Sequence, residues 1–504
     1  MKKVSVFLSL VLIAAVLLAA CSPAAPAAPA ATVAATEAPQ AVQPAAPTNP
    51  PAAVVPTAAP TTAAPTAAAP ANGKHKVVYF IGFGTGTSPN QLDGQNALIK
   101  KFNDSHPTIE VSLMIVPNAE AVQRFTAMAA AGDPPEVLGA TGFATIGILG
   151  DTGVIEDLGP YIEKSKFDSS IFYGPVVDIM KSFFPTGQKA LPLGIYPSFI
   201  LYNKDMFDAA GLPYPPHAYG DTSWTFDKIR QYGMKMTLDK NGNDATMAAF
   251  DPTQIAQWGF DDTWTDMRNY LVEWGAPGVG LVTTPDMKKA IINQKEWVTG
   301  LQWLSDGIWK DHFIPDAAGQ AAYGAIGNGD PFSTGLSSMM MTYSWFMPEG
   351  LTGINFKYDL APMPVAPTGK QIVRSDVDGL AMIKGADEKD AAWEFMSWLV
   401  QPEQIVDVCL IYGCLPPVKA VETKFRGIME GKWPGLDYDV IYKGLDHLDN
   451  PHSDAYVVEQ QKIGDVMNNA LSEVYSGSQK DAKVLLDKVN ADVQKILDDY
   501  WAKH

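Results

Sequence analysis

Apolar residues in KHKVVYFIGFG (residues 74–84) first alternate with polar ones and then run on, which predicts a strand that becomes buried along its length. A glycine-rich turn follows, and then a helical spacing through LDGQNALIKKFNDSHP. Residues 109–116 (IEVSLMIV) repeat the strand pattern, and residues 118–135 carry apolar positions at helical spacing up to Gly132 and Pro134. Residues 136–142 (EVLGATG) supply a third short strand. Strand, helix, strand, helix predicts a parallel sheet, and open sheets of this kind bind ligands at the carboxyl ends of their strands. The loops at 83–87 and 140–143 are therefore expected to share one rim.

Further on, residues 191–216 (LPLGIYPSFILYNKDMFDAAGLPYPP) set an apolar run ahead of Asn203, a short helix pattern and a proline cluster. Residues 239–244 (DKNGND) read as an Asn-Gly hairpin turn. A calcium loop is the weaker reading, because Gly242 stands fourth and Phe250 occupies the place of the bidentate glutamate. Helical patterns recur over 286–309, 388–399 and from 455 to the C-terminus, with short strands expected within 336–345 and 357–365. The fold class is α/β.

The ends of the chain change this picture. Lys2 and Lys3 precede an apolar stretch over residues 4–18, at about 15 residues too short for a membrane-spanning helix. Residues 1–20 read as a signal peptide ending at Leu18-Ala19-Ala20-Cys21, a lipobox-like sequence that makes Cys21 the candidate lipidation site. Several acyl chains on Cys21 would anchor the protein to a membrane without a spanning helix. Residues 21–73 are rich in Ala, Pro and Thr, lack aromatics and are expected to form a disordered tether. From residue 74 onward, about 430 residues remain, more than one core usually holds, so two lobes are expected.

A formal net charge of −18 argues against nucleic acid as a partner, which needs basic patches. With Cys21 lipidated, Cys409 and Cys414 remain, and they either pair as a disulfide or stay as buried thiols. No G-x-S-x-G, H-E-x-x-H, C-x-x-C or phosphate-loop motif occurs. GFGTG at 82–86 lacks the third glycine of a dinucleotide fingerprint. It reads either as a plain turn or as a place where backbone N–H groups approach a polar ligand. The run DHLDNPHSD (446–454) reads as a solvated loop before a metal site. No cofactor and no metal are expected. Trp297, Trp303, Trp393 and Trp398 fall inside helix patterns and are expected to pack in the core. Trp264 and Trp345 end polar or strand segments and are expected to project into a cleft. Flat aromatic faces beside Asp side chains suit sugars, which offer an apolar C–H face and a hydroxyl rim.

These segments resemble the extracellular solute-binding proteins of family 1, the sugar-binding components of ABC importers related to maltose-binding protein. The likeness runs from residue 74 to the C-terminus. It is carried by Leu191-Pro192, LYNKDMF with AGL (201–212), GDPPEV (132–137), Ser338 to Trp345, APMPVAPTGK, AAWEFMSWLVQPEQ with GCLPP, and ALSEVYSGSQKDAKVLLDKVNADVQKIL. It implies a two-lobed periplasmic-binding-protein-like (type II) fold with hinge crossover strands near 194–199 and 375–379. The first lobe is expected over 74–195 plus about 378–422, and the second over 196–377 plus about 423–504. Hinge closure around a ligand is the general motion of periplasmic binding proteins.

The ligand-binding residues implied are Phe83, Thr85 and Gly86 in the first loop, Thr141 and Phe143 in the third-strand loop, and Tyr196 at the hinge. Asp261 and Trp264 are implied on the second lobe, with Tyr343 and Trp345 at a strand end and Asp376 and Asp378 in the return crossover. The third-strand loop GATGFATIG lacks the Trp and Asp that relatives of maltose-binding protein often place there, which argues against a maltodextrin. The function implied is a lipid-anchored monomer on the outer face of the membrane. It would bind a small carbohydrate and deliver it to the permease subunits of an ABC importer. The alternative is a surface-attached carbohydrate-active enzyme using an Asp/Glu pair.

Overall fold

The computed structural model describes residues 73–504 apart from 185, 263–265, 279–280, 325–330, 450–451 and 453–454. The expected leader, Cys21, most of the tether and Trp264 therefore lie outside the described residues. No helix among the described residues is long and apolar enough to cross a membrane.

The strands are β1 (His75–Ile81), β2 (Ile109–Ile115), β3 (Val137–Gly142), β4 (Leu191–Asn203), β5 (Leu238–Asp239), β6 (Ile255–Gln257), β7 (Met339–Tyr343), β8 (Tyr358–Ala361) and β9 (Ser375–Met382). The large sheet runs β2-β1-β3-β9-β4-β7, with β8 also on β4. β1 pairs in parallel with β2 and β3, as the βα pattern predicts. β9 is antiparallel to β3 and β4, so the sheet is mixed. The expectation of a parallel sheet holds for its first three strands and fails where a returning strand enters.

β4 explains the long apolar stretch at 191–203. All thirteen of its residues are buried, because it lies inside the large sheet and changes partner along its length. Leu191–Pro197 pairs with β9, placing Tyr196 opposite Asp376 and Pro197 opposite Ser375. From Ser198 onward the partner is β7, and from Ile200 also β8. Pro197 has no N–H to give a ladder, so it stands where β4 changes partner. The Ser198 N–H then goes to the Arg374 carbonyl at 2.8 Å. Alternation does the rest: Phe199 and Leu201 enter one core cluster with Met340 and Leu360, while Ile200 and Tyr202 enter another with Met339, Met341 and Ala361. A third cluster, with Phe80, Leu138, Phe143 and Ala381, covers the other face of β1, β3 and β9. β4 ends where the Asn203 side chain caps the helix Lys204–Ala210 by accepting the Met206 N–H at 3.1 Å.

Two expected helices differ, and the expected tight turn forms. The helix expected from 286 begins at Lys295, because Thr284 donates to the Asp286 carboxylate at 2.6 Å and closes a turn there instead. The helix expected from 455 onward is two helices, Gln460–Tyr475 and Ala482–Trp501. The break falls at Gly477, which is left-handed (φ 74°), and Asp481 caps the second helix. The 239–244 turn is held by the Asp239 carboxylate, which accepts the N–H groups of Asn241 and Asn243 at 2.8 and 2.9 Å. The chain folds straight back here, with Leu238 and Asp244 in an antiparallel bridge and the Asp239 N–H on the Asn243 carbonyl at 3.0 Å, and β5 also pairs with β6. Trp297, Trp303 and Trp393 are buried and Trp398 packs against a core cluster, as their helix positions predict.

Candidate functional site

A cavity of about 260 Å³ opens where the loops after β1 and β3 meet β9 and the segment after β7. It is lined by Gly84 and Thr85, Phe143, Phe183, Tyr196, Trp345, Asp376 to Asp378 and His452, among others. The loops after β1 and β3 and the Trp345 ring thus face one space. No lysine or arginine is among the lining residues.

The loop after β1 needs its glycine for close approach. A Cβ at Gly84 would lie 1.9 Å from the Ala140 carbonyl oxygen. Ala140 itself has φ 45°, a left-handed conformation in which its side chain is strained. It sits where the β3–β9 register shifts between Leu138 and Thr141. This bulge lets the first loop settle against β9. There Thr85 donates its hydroxyl to Asp378 Oδ2 at 2.9 Å, and the Tyr196 hydroxyl reaches the same oxygen at 3.2 Å. The two hydroxyls are 3.0 Å apart. Burial pushes the Asp378 carboxyl up to about 7, against the downward pull of its hydrogen bonds and with a further upward push from Asp376. Tyr196 is raised as well, mainly by burial and then by Asp378.

The opposite wall is aromatic. The Trp345 ring stacks on Tyr343 at 5.9 Å and 15°. Tyr343 is buried, and the Arg374 guanidinium lies 5.3 Å over its ring. Arg374, itself buried, holds Asp376 at 2.6 Å, while Asp376 stays 37% exposed toward the cavity. Behind them, burial raises the Glu273 carboxyl despite the nearby Arg374, and Ser198 donates to it at 3.4 Å.

Of the expected site residues, the structure brings together Thr85, Phe143, Tyr196, Trp345, Asp376 and Asp378. Tyr343 lies behind Trp345. Phe83 packs on Phe80 and Phe125, with centroids at 5.5 and 5.9 Å. Gly86 makes a turn (φ 103°) whose carbonyl accepts from Gln95. Thr141 is buried within β3. Asp261 is buried with its backbone bonded to Met339 and Met341, extending the second-lobe sheet beside β7. Trp264 lies outside the described residues. Cys409 and Cys414 form a disulfide.

Sequence reasoning missed Phe183, Val377 and His452. His452 corrects the expectation of a solvated loop at 446–454: its side chain and that of Asp449 are each 1% exposed. Its Nε2 donates to the Ser375 carbonyl at 2.5 Å, and its ring lies 5.1 Å from Phe183. Phe183 ends a helix of clear amphipathic spacing and gives no separate signal. No cluster of three or more His, Cys, Asp or Glu able to hold a metal is found among the described residues.

Chemically the cavity combines acceptors, hydroxyls and one aromatic face. Asp376 and Asp378 stand two apart on the same strand, whereas glycoside hydrolysis needs carboxyl groups flanking the scissile bond from two sides.

The sequence model of the bacterial extracellular solute-binding protein family matches residues 88–406. A binding protein of Brucella abortus is 23% identical over 397 residues, covering 77% of this chain and 86% of that protein. The erythritol/L-threitol-binding protein of Mycolicibacterium smegmatis is 23% identical over 331 residues, covering 61% of this chain and 64% of its own length. Among solved structures, an ABC substrate-binding protein of Listeria monocytogenes in complex with cycloalternan aligns with TM-score 0.69 at 21% identity, covering 84% of this chain and 99% of that one. The cyclic alpha-maltosyl-1,6-maltose binding protein of Arthrobacter globiformis aligns with TM-score 0.65 at 18% identity, again covering 84% and 99%. Both share the two-lobed fold described above.

Proposed function

The chain belongs to the bacterial extracellular solute-binding proteins and is a binding protein rather than an enzyme, and from that premise we propose that it binds a carbohydrate between its two lobes. The observation that carries this reading is the composition of the cleft. A half-buried Trp345 lines the same cavity as the hydroxyl and carboxylate set of Thr85, Tyr196, Asp376 and Asp378. A sugar ring lays its C–H face on an indole and its hydroxyls against such a set. The relatives whose names print a ligand bind sugars or sugar alcohols, which supports the same class.

The rest of the proposal follows the family. The protein acts outside the cytoplasm. Cys21 carries the lipid that holds it to the outer face of the membrane, and the 21–73 tether lets the folded part reach the permease of an ABC importer. Ligand shifts the open–closed equilibrium in proportion to its differential affinity for the closed form, so contacts from both lobes are required. The lobes divide near 195 and 378, where β4 and β9 cross.

Calorimetry of the purified protein against a panel of mono-, di- and trisaccharides and sugar alcohols tests this directly. One-to-one binding with a thermal upshift and unchanged sugar is expected. A panel that gives neither heat nor upshift overturns the carbohydrate reading.

A further inference from the structure

We propose that Gly413, in the disulfide-closed turn after the helix Pro402–Tyr412, is a positioning residue that sets the spacing between the two walls of the cleft. The proposal rests on reading that cleft as the ligand site. Three independent contacts converge on this turn.

Toward the crossover, a Cβ at Gly194 would lie 2.4 Å from Cys414 Cβ, so β4 and the disulfide are in direct contact. The next residue, Leu415, exchanges two backbone hydrogen bonds with Ile195, at 3.0 and 2.8 Å. Toward the first wall, the Tyr412 hydroxyl donates to Gln95 Oε1 at 3.0 Å, and Gln95 Nε2 donates to the Gly86 carbonyl at 2.8 Å. Gly86 adjoins Thr85, and a Cβ there would lie 3.1 Å from the Tyr412 ring. Toward the second wall, a Cβ at Gly413 would lie 2.8 Å from Pro348 Cγ and 3.2 Å from Trp345 Cα.

One short turn therefore touches the strand that joins the lobes, the loop that carries Thr85 and the backbone that carries Trp345. Gly413 has φ 75° and donates its N–H to the Cys409 carbonyl at 2.8 Å, which caps the helix. The Cys409–Cys414 disulfide closes the chain around it. The turn cannot give way easily, so an added methyl group must displace the Trp345–Pro348 segment. Binding constellations tolerate displacement of only about 0.5 Å, so the wall spacing changes and affinity falls.

The test compares three variants. Gly413→Ala adds both left-handed strain and the clash. Gly413→Ala/Pro348→Ala keeps the strain and removes the nearest obstacle. Gly211→Ala adds left-handed strain (φ 65°) with nothing within 4 Å. In the ligand-free protein, hydrogen–deuterium exchange is read on peptides covering 84–88 and 343–350. Gly413→Ala is expected to accelerate exchange in both peptides, and the double variant to return 343–350 toward the wild-type rate. Affinity is then measured for maltose, mannobiose and erythritol. Gly413→Ala should weaken whichever of these binds about tenfold, and the double variant should recover most of that loss while its Tm stays low. Gly211→Ala should lower Tm and leave affinity unchanged.

Exchange that changes only within 409–415 would overturn the proposal. So would an affinity loss that Pro348→Ala does not relieve. If none of the three probes binds the wild-type protein, the carbohydrate reading loses these ligands, and the exchange comparison still decides the role of Gly413.

Discussion

The two walls of the cleft are held by different forces. On the first-lobe side, Thr85, Tyr196 and Asp378 form a hydrogen-bonded set in which every hydroxyl already has a partner. On the second-lobe side, Trp345 rests on Tyr343, and Tyr343 rests beneath Arg374. Hydrogen bonds weaken steeply with small errors of distance and angle, whereas aromatic stacking tolerates sliding and scales with area. For the carbohydrate proposed above, the contrast predicts that affinity resides mainly in the second wall and selectivity mainly in the first.

The sharpest way to break that contrast is Trp345→Ala. It is expected to cost about 2–3 kcal/mol of binding, on the order of 100-fold in Kd, for every sugar the protein binds. Calorimetry with circular dichroism to confirm folding measures it, and retained affinity in a folded variant would move the energy to the other wall. Asp378→Asn comes next, at about tenfold in affinity. Its loss should differ between sugars that differ in hydroxyl stereochemistry, and a uniform loss would show that the polar wall does not select.

Acidity provides a third handle. Asp378 is raised to about 7 and Asp262 to about 6 from an ordinary 3.8, chiefly by burial. The folded protein therefore keeps protons that the unfolded chain releases. The stability these two groups contribute is present below about pH 4 and is lost as pH rises through 6 to 7. The Tm of the ligand-free protein should fall between about pH 5 and pH 8, and Asp378→Asn should flatten part of that fall. A Tm rising across this window would mean that Asp378 is not held as a buried acid. The smallest effect belongs to Tyr196→Phe, expected at about 1 kcal/mol or less in both stability and binding, since Thr85 still serves Asp378.

Legibility followed the same division. Strands β1 to β3 and the buried run of β4 could be read because their apolar residues are buried on one or both faces of the sheet, which leaves alternating or continuous apolar runs in the sequence. Thr85 and Tyr196 were found through the loop and crossover that carry them, and Trp345 through its place at a strand end. Phe83, Gly86 and Thr141 belong to the same short segments but turn to core, turn and strand interior. Sequence proximity names a loop and does not say which of its side chains face outward. His452 could not be read at all, since its burial depends on Phe183 and Ser375, about 270 and 77 positions away. Trp264 was proposed from a polar flank and lies outside the described residues.

Because β4 changes partner from β9 to β7 without a break, the protein resists dissection. A fragment ending at Pro197 would expose an unpaired edge on one side of the cut, and a fragment starting at Ser198 would begin in the middle of a fully buried strand. Gene-splitting or domain-transplant schemes should therefore cut in the exposed turns around 240 or 478, where severed ends meet water instead of a neighbouring backbone.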